Sequence, residues 1–103
     1  MTIETHFIKD GKITFRKTPG ARLLYGWDLV DWLAETGTTL QTVTGTGAGI
    51  AADGAPFING TMLCIWVTGL DIAQGAENSY TFRFVCVDGS IEYRTIHFIA
   101  RPA

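Results

Sequence analysis

Residues 79–87, SYTFRFVCV, and residues 91–100, IEYRTIHFIA, stand on either side of Asp88-Gly89-Ser90, and this stretch decides the fold. Successive side chains of a strand point to opposite faces, so a period of two separates inside from outside. In the first arm Tyr80, Phe82, Phe84 and Cys86 share one face, and Thr81 and Arg83 share the other. That pattern predicts an aromatic inner face. Asp-Gly between the arms supplies the backbone freedom of a compact hairpin loop. The second arm holds two competing sets, Ile96, Phe98 and Ala100 against Tyr93, Thr95, His97 and Ile99, and the first is the expected inner set.

The same alternation continues upstream. Turn dipeptides recur at Asp10-Gly11, Pro19-Gly20, Asp53-Gly54 and Asn59-Gly60, with short stretches rich in β-branched and aromatic residues between them. Residues 12–17 (KITFRK) alternate with Ile13 and Phe15 on one face, and residues 40–44 (LQTVT) form a further strand. Residues 62–68 (MLCIWVT) are apolar on both faces, as in a strand covered on both sides. Residues 22–32 begin as a strand, and Asp28-Leu29-Val30-Asp31-Trp32-Leu33 then forms a tight turn or a single helical turn. From Gly45 to Gly60 the chain is rich in Gly and Ala with Pro56, which predicts one poorly buried edge strand with loops. The count is about seven strands, as expected for an all-β, immunoglobulin-like sandwich.

At 103 residues the chain has room for one such domain. Residues 12–103 are assigned to the sandwich and residues 1–11 to an N-terminal arm or extra strand. Hydrophobic residues make up 47% and charged residues 17%, which excludes a disordered chain and leaves apolar surface for neighbours to cover. A net charge of −2 gives no pull toward nucleic acid or an anionic membrane. Lys9, Lys12, Arg16, Lys17 and Arg22 crowd the first part of the chain, and the acids Asp28, Asp31, Glu35, Asp53, Asp71 and Glu77 follow before the next cation, Arg83. Either these are two solvated patches, or a basic edge on one copy meets an acidic face on the next.

No apolar run approaches the ~20 residues of a membrane span, and the N-terminus lacks a secretory pattern, so a cytoplasmic site of synthesis is expected. In that compartment Cys64 and Cys86 are expected as buried free thiols. Asn59-Gly60-Thr61 matches a glycosylation acceptor but has no meaning without secretion.

Gly47-Ala48-Gly49-Ile50-Ala51-Ala52 satisfies G-x-G-x-x-A, yet Asp53-Gly54-Ala55-Pro56 cannot continue the helix that a dinucleotide fingerprint needs. His6 and His97 have no companions at metal-ligand spacing. A Cys86–His97 nucleophile pair lacks an orienting third group. Asp28 and Asp31 among Trp27, Trp32 and Leu33 suit a turn anchored on the core better than a sugar site. No catalytic set, metal site or cofactor site is therefore expected. Trp27, Trp32 and Trp66 are expected as structural residues. Tyr80, preceded by Leu70 and a Gly-containing loop, is the candidate for a tyrosine corner, with Leu70 packing beneath it; the alternative is a Tyr that merely opens its strand.

Tyr25-Gly26-Trp27-Asp28-Leu29-Val30-Asp31-Trp32-Leu33 resembles a segment of small tailed-phage virion proteins called fibre–tail adaptors, which have an immunoglobulin-like fold. Lys17-Thr18-Pro19-Gly20-Ala21, Ile65-Trp66-Val67-Thr68-Gly69, Ser79-Tyr80-Thr81 and Arg94-Thr95-Ile96 look like further parts of that family in the same order. Residues 1–16 and the Gly-Ala-rich segment from Gly45 depart from it. The resemblance implies a non-enzymatic virion protein, assembled in the bacterial host cytoplasm, bridging tail or connector to fibres in several copies of a symmetric assembly. Phe7, Lys9, Lys12, Arg16 and Lys17 are the candidate interface residues. The alternatives are a capsid decoration protein on the head and a carbohydrate-binding module.

Overall fold

The computed structural model describes residues 4, 6–9, 11–73 and 76–100. Its elements in chain order are β1 (Phe7–Lys9), β2 (Lys12–Lys17), β3 (Leu23–Asp28), α1 (Val30–Thr36), β4 (Leu40–Ala48), β5 (Ile50–Ala52), β6 (Phe57–Asn59), β7 (Met62–Leu70), β8 (Asn78–Cys86) and β9 (Ile91–Ala100). One sheet runs β1-β2-β9-β8-β4, and the other runs β3-β7-β5 with β6 also paired to β7. The chain changes sheet between β2 and β3, through α1, between β4 and β5, and between β7 and β8. All pairings are antiparallel except β2 with β9, where Phe15 stands beside Phe98. An early strand, β2, laid parallel against the last one, with the chain crossing repeatedly between two sheets, is an immunoglobulin-like sandwich.

Nine strands are present among the described residues rather than about seven. Phe7–Lys9 adds one, joined to β2 through Gly11 at φ 74. Of the expected arm over 1–11, residues 1–3, 5 and 10 lie outside the described residues. The segment from Gly45 to Gly60 is not a single edge strand: its first part prolongs β4, and β5 and β6 follow.

The inner face of β8 is the predicted one, with Tyr80, Phe82, Phe84 and Cys86 all buried. On β9, Ile96 and Phe98 are buried, while Ala100 is exposed at the strand end. Leu63, Ile65 and Val67 of β7 meet them from the other sheet. Each such fully buried side chain contributes roughly 1.5–3 kcal/mol by leaving water. Phe15, Tyr25 and Phe98 tie the sheets together: the Tyr25 ring meets Phe15 and Phe98 edge-on, each at 4.9 Å between centroids. Cys64, on the opposite face of β7 from this core, is fully buried as well, while Met62, Trp66 and Thr68 on that face are half-buried, so the outer side is covered only in part.

The Asp28–Leu33 stretch, expected as a tight turn or a single helical turn, instead opens a helix of about two turns, Val30–Thr36. Asp28 Oδ1 accepts from the Val30 N–H at 3.0 Å and from Thr61 Oγ1 at 2.8 Å, which fixes the entry to α1. Leu33 anchors the helix in the core, and Gly37, at φ 73, ends it by donating its N–H to the Leu33 carbonyl at 2.9 Å.

Candidate functional site

The Gly-rich segment that imitates a phosphate-binding loop is β-structure. Gly45 and Gly47 face inward on β4, where a β-carbon at Gly45 would fall within the Tyr80 ring and one at Gly47 would stand 2.8 Å from Ile50 Cγ1. Glycine is therefore required by close packing here. Gly49, at φ 71, turns the chain from β4 into β5 and leaves no room for a side chain beside Asn78.

Tyr80 is buried with its ring edge-on to Phe82, 5.1 Å between centroids. Burial pushes its phenol pKa up. Among the described residues its hydroxyl makes no hydrogen bond to upstream backbone, so the tyrosine-corner bond is replaced. Asn78, two residues earlier, holds the crossover: Oδ1 accepts from the Asp71 N–H and Nδ2 donates to the Asp71 carbonyl, each at 3.0 Å. Leu70 is half-buried and packs against the core cluster.

The three tryptophans are half-buried. Trp66 lies on the outer side of β7 with the Arg22 guanidinium 4.0 Å above its ring, and Arg22 is paired with Asp53 at 2.5 Å. Trp32, on α1, meets Phe84 edge-on at 5.6 Å. Arg94 reaches toward Trp27 and Trp32 at 5.8 and 5.5 Å from the ring centroids. Two arginines thus occupy the aromatic faces that a sugar ring would need.

Lys9, Lys12 and Arg16 are exposed along the β1–β2 side of the first sheet. Lys17 is not a surface cation as expected: it is fully buried, and its Nζ donates to the Thr18 and Pro19 carbonyls at 2.9 Å each. Desolvation lowers its pKa from the ordinary 10.5. The side chain of Phe7 lies outside the described residues. Lys9, Lys12, Thr14, Glu77 and His97 line an open cleft of about 250 Å³. His97 titrates below its ordinary range, chiefly through burial and also through Lys12, with Glu77 opposing. A second cleft of about 210 Å³ lies between Glu4, His6, Trp27, Asp28 and Met62.

The other candidates are kept apart. His97 pairs with Ser79, at the far end of the β8–β9 hairpin from Cys86 and on its other face. Both cysteines are buried free thiols, raised in pKa mainly by desolvation. Among the described residues no cluster of His, Cys, Asp or Glu is grouped to hold a metal, and no helix is long and apolar enough to cross a membrane.

One surface escaped the sequence reading. The outer face of β4, β8 and β9 is nearly uncharged, with Thr44 beside Arg83, Thr46 beside Thr81, and Thr81 bonded to Thr95 through their hydroxyls at 2.9 Å. Toward the hairpin end Val87, Ile91 and Tyr93 are exposed at 64%, 51% and 54%. The outward half of the period-two pattern was the signal available for it.

Comparison with protein-family models finds no match, and neither does comparison with curated proteins.

Proposed function

We propose that this chain is a non-enzymatic structural protein of a tailed-phage virion, bridging tail or connector to fibres by protein–protein contacts. The observation that carries this reading is the broad, nearly uncharged outer face of β4, β8 and β9, with exposed Val87, Ile91 and Tyr93 at its end. Exposed apolar side chains at the end of an uncharged face are what a neighbouring subunit covers. The ordered resemblance of the Tyr25–Leu33 segment and its companions to fibre–tail adaptors gives that neighbour its class. Trp66 under Arg22 weighs against the carbohydrate-binding alternative, because its ring face is taken.

Quantitative mass spectrometry of purified particles, counting this chain against the major capsid protein, tests the reading. Tens of copies or fewer per particle are expected. Hundreds would move the protein to the head surface as a decoration protein, and absence from particles would overturn both structural readings.

A further inference from the structure

A sandwich has four sheet edges, and three of them are blunted here. β1 is three residues long and carries Lys9, with Lys12 directly opposite it. The β3 edge is engaged at its second residue, where the Glu4 N–H donates to the Leu24 carbonyl at 3.0 Å. β5 and β6 are three residues each, and Pro56 interrupts the chain between them. Short strands, lysines, prolines and covering segments are the devices by which proteins keep strand edges from pairing.

β4 has few of them, although β6 of the second sheet lies against part of it. It is nine residues long, pairs only with β8 among the described residues, and no Lys, Arg, Asp, Glu or Pro occurs from Leu40 to Ala52. One bulge, between Leu40 and Thr42, leaves an unbroken register over residues 42–48. Gln41, Thr42 and residues 44–48 are exposed. Among the described residues the backbone groups along the outer side of this stretch belong to no ladder.

We propose that the β4 edge pairs with the β4 edge of a second copy of this chain, antiparallel about a two-fold axis, joining two five-stranded sheets into one. Three features select that occupant. Self-pairing brings no like charges together, because the stretch has none. An axis at Gly45 centres the unbulged segment and sets Thr44 opposite Thr46 of the second copy, and cross-strand Thr pairs are favourable. The competing head-to-tail contact, β4 against β1, would offer only three residues and place Lys9 at the seam, and it would not close. The pairing concerns the isolated chain and holds or fails independently of where the protein resides.

A strand edge alone buries less than the ~1,200 Å² at which standard interfaces begin, so association in the micromolar to millimolar range is expected. Sedimentation equilibrium of the full chain should show monomer and dimer only. Thr44→Lys/Thr46→Lys, at exposed positions, should abolish the dimer while leaving the circular dichroism unchanged. Protein carrying Thr44→Cys mixed with protein carrying Thr46→Cys should cross-link more readily than either alone, and the native thiols are buried. On the unmodified chain, raising the concentration should slow amide exchange within residues 42–48 and not in β1. A chain that stays monomeric to millimolar concentration, open-ended oligomers, or a dimer protected at β1 instead would each overturn the proposal.

Discussion

Asn78 grips Asp71 by both of its backbone polar groups, accepting from the N–H and donating to the carbonyl at 3.0 Å each. The Asp71 N–H is also within 2.7 Å of the Gly49 carbonyl, so one amide ties together the end of β7, the start of β8 and the β4–β5 turn. A side-chain amide is suited to this place because it presents one donor and one acceptor side by side.

Asn78→Ala should therefore destabilise the domain by roughly 1–3 kcal/mol, the loss of two hydrogen bonds of about 0.5–1.5 kcal/mol each. Asn78→Asp keeps the acceptor and loses the donor, so its loss should be of the same sign. Urea unfolding midpoints check both. A midpoint unchanged by Asn78→Ala would mean that the crossover is held elsewhere.

Tyr80 and Gly45 form a second coupled pair. Gly45→Ala drives a methyl into the Tyr80 ring and should cost roughly 1–3 kcal/mol by overpacking. In a Tyr80→Val background the ring is gone and the same substitution should cost markedly less, which a double-mutant cycle measures. Tyr80→Phe should shift the midpoint little, since the hydroxyl holds no backbone partner among the described residues.

The difference between what could and could not be read from the chain follows from where the information lies. β8 was legible because its inner positions carry aromatic side chains and its outer ones Thr and Arg, so the period is written in the strand itself. β4 was truncated at Thr44 because its inner positions are Gly45 and Gly47, which carry no apolar mark. The side chains that fill their space, Tyr80 and Ile50, come from other strands. Lys17 was misplaced although the signal existed: it continues the inward series Ile13, Phe15 by one step. Its charge suggested the surface, while two neighbouring carbonyls let it stay inside. The outer face of β4, β8 and β9 needed the sheet order, because threonines on three strands become one surface only once the strands are adjacent.

Arg22 covers Trp66 on the outer side of the second sheet. Arg22→Ala removes a cation–π contact of about 0.5–1 kcal/mol and an exposed ion pair of still smaller worth. The expected loss of stability is correspondingly small. Emission from Trp66 should move to the red as its ring becomes wet, and Asp53→Asn should produce a weaker shift of the same sign. An unchanged spectrum would mean that the guanidinium does not cover the ring in solution.

Lys17 predicts a pH dependence of definite sign. Its pKa in the folded chain lies below the ordinary 10.5 because burial disfavours the charged form. Between the two values the unfolded chain binds more protons, so this residue makes stability rise with pH and reach its full value above about 10.5. Cys64, Cys86 and Tyr80 act oppositely: burial raises each above its ordinary 9.0 or 10.0, so stability falls as pH climbs past those values. The net alkaline profile therefore hides the lysine, and the comparison must be with Lys17→Met. Unfolding midpoints of both proteins from neutral to alkaline pH should diverge, with the wild type gaining relative to the variant as Lys17 discharges. Parallel profiles would mean that Lys17 is as well solvated in the folded chain as in the unfolded one.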